Sequence, residues 1–411
     1  MIATIQGGAL RGKIRAIASK SCAHRLLICA ALADAPCRVE IAELSADIEA
    51  TARCLTALGA KVERIPGGYD VEPVGWTSVR ECTLDCGESG STLRFLLPLA
   101  ARLPEGSKIH FAGRGRLPER PNTALIEAMR LHGVHVSSDY LPLTVEGPIE
   151  SGLYELPGNV SSQFISGLLF TLPALQGDSQ IRFTTNVESG SYIRLTIDAL
   201  KAFGIRIHAV SGGYDIPGNQ VFRSPGKISA EGDWSNAAFW LAAKALGSEI
   251  ETTGLNMNSA QGDRAVVKVL DSMRAEDGRL VGAKIDASDI PDLVPVLSVV
   301  ATQAEGETLF FNAGRLRIKE CDRLRAMRET LSSLGADIEE TADGLIVRGK
   351  TRLHGGTVDS FNDHRIAMSM AVAATVASGE IRITGAEAVA KSYPAFWEDC
   401  RKLGGRVVLE D

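Results

Sequence analysis

Cations recur where this sequence starts its helices, and that pairing is what first suggests chemistry. Ser19-Lys20-Ser21 stands before an Ala/Leu-rich run, which places Lys20 at the helix start and Arg25, at i+5, on the same face. Gly87-Glu88-Ser89-Gly90-Ser91-Thr92 leads into a second such run with Arg94 just inside it, and Asp363-His364-Arg365 opens a run rich in Ala and Met. The first amides of a helix are unpaired and its dipole is positive there, so these starts attract anions. The small residues at 87–92 let backbone amides approach a phosphate, although the segment matches neither a Walker loop nor a dinucleotide fingerprint. Each start also has a plainer reading, as a capped surface helix with solvated charges or as a glycine joint.

Further ionisable clusters lie between these starts. Gly113-Arg114-Gly115-Arg116 and Glu119-Arg120-Pro121 crowd arginines onto a turn-rich segment that is either an anion site or a solvated loop. Arg315-Leu316-Arg317-Ile318-Lys319-Glu320-Cys321-Asp322-Arg323 is the densest charged stretch. On a helix Lys319 and Arg323 would share a face with Glu320 beside them, as an exposed salt-bridged helix also would. Asp292 follows Pro291 as a candidate base or an ordinary cap, and Lys391 stands alone before a turn.

These segments fall on a repeat. A helix ending in an apolar residue and glycine, followed by an alternating strand, closes at Gly59, Gly133, Gly204, Gly335 and Gly404, and a further copy has Arg274 in place of the glycine. A helix that turns at once into a strand needs a left-handed residue after its last turn, which explains the glycine. A second helix per unit starts at Ser19-Lys20-Ser21, Gly90-Ser91-Thr92, Ser161-Ser162-Gln163, Asp233-Trp234-Ser235, Ile290-Pro291-Asp292 and Asp363-His364-Arg365. Six units of about 68 residues therefore account for 411. A unit too small to bury its own helix packs with neighbours, which predicts an α/β chain with two groups of three units and a linker near Arg223-Ser224-Pro225-Gly226-Lys227.

Composition narrows the class. Apolar residues make up 45% and charged residues 23%, with no tract that marks disorder. The start lacks a secretory signal pattern, and the Ala367 to Ala377 stretch reads as a buried helix rather than a membrane span. Eight cysteines without CxxC or zinc-like spacing fit reduced thiols in a cytoplasm. A net charge of −6 argues against general nucleic-acid affinity.

Taken together, the segments from Ser19 to Phe396 resemble the 5-enolpyruvylshikimate-3-phosphate synthase family. The match runs in the family's order through Lys20 with Arg25, Gly90 with Arg94, Glu119-Arg120-Pro121, Ser161-Ser162-Gln163, Glu231-Gly232-Asp233, Gln261-Gly262-Asp263, Pro291-Asp292, Lys319-Glu320 with Asp322-Arg323, Asp363-His364-Arg365 and Lys391-Ser392-Tyr393-Pro394. The resemblance implies a two-domain, inside-out α/β barrel-like fold of six βαβαββ units, pseudo-threefold within each domain. It places one domain at 1–18 plus 229–411 and the other at 19–228, with the active site in the cleft between them.

The resemblance also implies roles. Shikimate 3-phosphate would be held by Lys20, Ser21, Arg25, Ser161, Ser162, Gln163, Ser189, Tyr192, Asp292 and Lys319, and phosphoenolpyruvate by Lys20, Gly90, Arg120, Gln163, Arg323, Arg365 and Lys391. Asp292 would take the hydroxyl proton, while Glu320, with Lys20, would move the proton at the methyl carbon. No metal or organic cofactor, nucleic acid or membrane is implied, and the expected form is a monomer that closes on its ligands. Gly90 is retained as in glyphosate-sensitive members, whereas Glu88 stands where the family usually has Asn and Asn236 replaces a common Ser. Rival readings are a UDP-N-acetylglucosamine enolpyruvyl transferase, disfavoured because no cysteine lies in Arg114-Gly115-Arg116-Leu117-Pro118, an RNA 3′-phosphate cyclase, and a non-catalytic anion-binding protein of the same fold.

Overall fold

Helix-ending glycines and polar helix caps punctuate the chain as the repeat requires. The computed structural model describes residues 1–75 and 79–411. The chain divides into two compact units, Ala18–Glu231 and Met1–Ile17 with Gly232–Asp411, so the backbone passes between them after Ile17 and after Glu231.

Ala18–Glu231 holds α1 (Lys20–Leu32), α2 (Ala46–Ala57), α3 (Gly90–Ala100), α4 (Thr123–Arg130), α5 (Ser162–Thr171) and α6 (Gly190–Ala202). One repeat shows the pattern. Strand Glu81–Asp85 leads into α3, Lys108–Ala112 into α4, and the hairpin His135–Val136 with Leu143–Glu146 completes a four-stranded sheet. Its first pair is parallel and the rest antiparallel, because a helix crossover joins the first two strands and a short turn joins the last two. The repeat around α5 and α6 is built likewise from Leu153–Leu156, Ser179–Phe183, Gly213–Ile216 and His208–Val210. The third sheet pairs Cys37–Glu40 with Lys227–Ser229, a strand taken from the far end of the unit.

The helices divide by burial. α1 is buried from Ala23 to Leu32 and α3 from Thr92 to Ala100, while α2, α4 and α6 keep a polar face. α3 meets α5 through the edge-on rings of Phe95 and Phe170, 5.4 Å apart. A side chain on Gly167 of α5 would overlap the Arg94 carbonyl, so glycine there lets the two backbones touch.

The other unit holds α7 (Trp234–Ala245), α8 (Val266–Ser272), α9 (Val294–Thr302), α10 (Arg323–Ser333), α11 (His364–Ala374) and α12 (Phe396–Lys402). α7, α9 and α11 pack on one another, and α11 is buried along its whole length, as its Ala/Met composition predicts. The N-terminal strand Ile2–Gln6 sits between Ile381–Thr384 and Arg406–Glu410, so the first residues complete the last repeat. Arg11–Arg15 pairs in parallel with Glu249–Thr253, which explains why the unit is discontinuous in sequence. This sheet has two strands where the other five have four. It belongs to the copy with Arg274 in place of glycine, where among the described residues isolated bridges, Arg274 with Leu280 and Val281 with Glu305, stand in place of strands.

The five repeat glycines at 59, 133, 204, 335 and 404 all have left-handed φ, between 79° and 97°. Among the described residues the sheets are separate and open and pack on buried helices, the inside-out α/β arrangement of six units that the resemblance implies, with no closed barrel. Among the described residues no helix is long and apolar enough to cross a membrane.

Candidate active site

In Ala18–Glu231 the capped tips of α1, α3 and α5 carry the predicted residues. Ser19 caps α1, accepting from the Cys22 amide, and places Lys20 in the first turn. Lys20 Nζ lies 3.0 Å from Asp47 Oδ2 of α2, with Ser21 beside it. Arg25 departs from that expectation, because it does not share the face of the half-buried Lys20. It is 2% exposed, with Nε 2.8 Å from Thr196 Oγ1, Nη1 2.6 Å from the Ser21 carbonyl and Nη2 2.9 Å from that of Tyr192. Burial pulls its pKa down to about 10. Five residues on a helix is about 500°, so Arg25 is turned away from Lys20 toward α6.

Ser89 caps α3 at Gly90, and the Arg120 guanidinium rests on that glycine. A Cβ at Gly90 would stand 2.8 Å from Arg120 Nη1. Ser161 caps α5, followed by buried Ser162 and half-buried Gln163. Arg94, quoted from the sequence without a role, joins these parts: Nη1 reaches Gln163 Oε1 at 2.7 Å, Nε reaches Asn122 Oδ1 at 3.0 Å and Nη2 reaches the Pro121 carbonyl at 3.2 Å. Gln163 Nε2 in turn donates to Ser91 Oγ at 2.9 Å. Ser189, at the start of α6, is 3% exposed and holds φ of 53°, a strained value for a non-glycine residue. Tyr192 lies one turn into the same helix, half-buried. The Glu88 carboxylate lies against Gly115, which ties the Arg114–Arg116 loop to the turn before α3.

In the other unit a carboxylate gathers cations. Asp292 stands on a 3-10 turn, Pro291–Leu293, at the start of α9. Its Oδ1 is 2.8 Å from Arg323 Nη1 and 3.7 Å from Lys319 Nζ, and its Oδ2 is 3.1 Å from Arg365 Nη2. Burial alone would raise this carboxyl, but Arg365, Lys319 and Arg323 outweigh it and hold Asp292 well below the usual carboxylate range. Arg323 also binds Glu320 Oε2 at 2.9 Å and Asp363 Oδ2 at 2.7 Å. Burial drops Lys319 to about 8 despite its acidic neighbours. Arg365, at the tip of α11, donates to Ser235 Oγ at 2.7 Å, and Lys391 Nζ to the Asn362 carbonyl at 2.5 Å.

One helical expectation is overturned here. Lys319 and Glu320 lie on an irregular stretch between the 3-10 turn Gly314–Ile318 and α10, which begins at Arg323 behind the cap Asp322. They converge with Arg323 through that bend rather than along one helix face. Arg317 pairs with Asp322 at 3.0 Å and Glu340 at 2.5 Å, so it braces the fold. The resemblance implies no role for Asp263 of the Gln261-Gly262-Asp263 segment. Burial, then the charge of Asp292, raises its carboxyl to about 6.

Guanidinium and ammonium groups fixed near helix starts are chemistry suited to anions, and the carboxylates of Asp292 and Glu320 beside them are chemistry suited to proton transfer. The family model described as EPSP synthase (3-phosphoshikimate 1-carboxyvinyltransferase) matches residues 5–400. Proteins named 3-phosphoshikimate 1-carboxyvinyltransferase from Clostridium acetobutylicum and Clostridium novyi are 43% and 44% identical, covering 97% and 96% of this chain and 96% of each relative. A solved EPSP synthase from Acinetobacter baumannii superposes with a TM-score of 0.82 at 25% identity, over 99% of this chain and 100% of that one. Sequence, repeat architecture and placement of the ionisable groups agree, and the chain belongs to the EPSP synthase family.

Proposed function

We propose that this chain transfers the enolpyruvyl group of phosphoenolpyruvate to the 5-hydroxyl of shikimate 3-phosphate and releases phosphate, as the names of its relatives describe. The observation that carries the reading is the carboxylate Asp292 held by Lys319, Arg323 and Arg365 with Glu320 alongside. Two phosphates and two carboxylates must come together in this reaction, and fixed cations offset their repulsion.

In this reading phosphoenolpyruvate is held by Lys20, the Gly90 tip, Arg120, Gln163, Arg323, Arg365 and Lys391. Shikimate 3-phosphate takes Lys20, Ser21, Arg25, Ser161, Ser162, Gln163, Ser189, Tyr192, Asp292 and Lys319. Asp292 accepts the proton of the hydroxyl as its oxygen bonds to C2 of the enol, and Glu320 with Lys20 delivers a proton to C3. The tetrahedral product expels phosphate, C3 loses a proton, and the cations stabilise the departing charge. A carboxylate held this far down is a weak base in the empty site. Anions arriving at Arg323 and Arg365 share those cations and restore its basicity when a proton must be taken.

Scattering should show compaction when shikimate 3-phosphate is added with a phosphoenolpyruvate analogue, and an unchanged radius of gyration counts against closure. The chain acts in the cytoplasm as a monomer, which size-exclusion chromatography tests. A phosphate-release assay comparing acceptors tests the reaction. Shikimate 3-phosphate should support turnover and UDP-N-acetylglucosamine should not; the reverse result overturns the assignment.

A further inference from the structure

Two i,i+4 pairs face each other between α1 and α2. Lys20 meets Asp47 at 3.0 Å, and one turn on His24 Nδ1 meets Thr51 Oγ1 at 2.7 Å. Thr51 Oγ1 continues to Thr92 Oγ1 at 2.7 Å, and Thr92 donates to Ser89 Oγ, the cap of α3, at 2.7 Å. His24, Thr51, Thr92 and Ser89 are all fully buried. Counting protons gives the chain one direction. The single hydroxyl proton of Thr92 goes to Ser89, so Thr51 must donate to Thr92, and Thr51 then receives the proton on His24 Nδ1. Nε2 is left with a lone pair and no partner among the described residues, edge-on to the Phe95 ring at a centroid distance of 6.5 Å.

We propose that His24 is a positioning residue for the phosphoenolpyruvate half-site, holding the Lys20 tip of α1 and the Gly90 tip of α3 in register through Thr51 and Thr92. This rests on the function proposed above. The spacing of the rungs is the argument: moving the His24 rung moves Lys20 one turn away, and releasing Thr92 loosens the cap that fixes Gly90 under Arg120. The ring stays neutral for this work. Burial first, then Lys20 and Arg25 of its own helix, keep it from taking a second proton. Asp47 of α2, one turn before Thr51, is engaged by Lys20. From α3 it meets Phe95.

The test uses the full enzyme. Asn offers an amide N–H near the place of Nδ1, whereas Gln reaches past it and Leu offers none. His24→Asn should keep the phosphoenolpyruvate KM within about twofold, while His24→Gln and Thr51→Val should raise it about tenfold or more and raise the shikimate 3-phosphate KM several-fold less, because the acceptor shares Lys20 but not the Gly90 tip. Thr51→Ser, which keeps the hydroxyl, should rescue Thr51→Val. An unchanged phosphoenolpyruvate KM across these variants, or a shikimate 3-phosphate KM that rises as much as the phosphoenolpyruvate KM, overturns the proposal. Nitrogen NMR of the unmodified enzyme tests it independently of variant folding: His24 should be the Nδ1–H tautomer throughout pH 5 to 9. An Nε2–H tautomer or a titration in that range overturns it. Wild-type enzyme without enolpyruvyl transfer would instead reject the underlying function and leave the tautomer result to stand alone.

Discussion

Replacing Gly90 by Ala tests the geometry of the α3 tip directly. The added methyl would stand 2.8 Å from Arg120 Nη1, 3.1 Å from Cζ and 3.2 Å from Nη2. Ordinary van der Waals contact begins near about 3.5 Å, so the guanidinium must retreat by about 0.7 Å. Arg120 is 7% exposed, which leaves it little room to do so without changing its direction. If Arg120 grips phosphoenolpyruvate, the displacement loses much of one charge-assisted hydrogen bond, about 1.5–3 kcal/mol, or roughly 10- to 100-fold in affinity. The helix should not suffer, since Ala exceeds Gly in helix propensity by up to about 1 kcal/mol. Initial rates of phosphate release at saturating shikimate 3-phosphate should show the phosphoenolpyruvate KM raised about 10- to 100-fold, with the acceptor KM within about twofold and the melting temperature unchanged or higher. A folded variant with an unchanged phosphoenolpyruvate KM would refute the placement of Arg120 in the site.

The other predictions concern the Asp292 cluster. Asp292→Asn keeps the shape but not the base, and turnover should fall by about 10²- to 10⁴-fold while the KM values change far less; a near-normal kcat removes Asp292 from proton transfer. Lys319, lowered by burial to about 8, loses its charge as pH rises past that value. Calorimetry should find shikimate 3-phosphate affinity about fivefold lower at pH 9 than at pH 8, and Lys319→Arg should abolish that change. Asp263, raised by burial to about 6, binds its proton more tightly folded than unfolded, so its contribution is full below the unfolded value and lost as pH rises through about 6. Urea melts should therefore show Asp263→Asn gaining about 1–3 kcal/mol on the parent between pH 4.5 and pH 7.5, and a pH-independent difference would count against the buried carboxylate.

What could be read from the sequence is what local chemistry determines. A glycine after an apolar helix end has one backbone use, and the five such glycines are left-handed. The copy without its glycine is also the copy whose sheet lacks a second pair of strands, so even the exception was written locally. Side-chain partners are a different matter, because spacing along a helix gives direction only if the helix exists and says nothing of what packs against it. Lys319 looked helical because Arg323 follows four residues later, yet Asp322 caps α10 and ends that reading. Arg25 at i+5 reads as a same-face neighbour of Lys20, yet Thr196 and the Tyr192 carbonyl, 171 and 167 residues on, take its guanidinium. Arg94 and Asp263 show the same limit from the other side. Each sits in a recognised segment, but its task is set by groups distant in sequence: Gln163 of the next repeat with Asn122 and Pro121 of its own for Arg94, Asp292 and Arg365 of later repeats for Asp263. A repeat that places each chemical group at the same helix tip makes the tips legible one at a time. The charge balance among tips belongs to the assembled unit, and the depressed Asp292 carboxyl is a property of that balance.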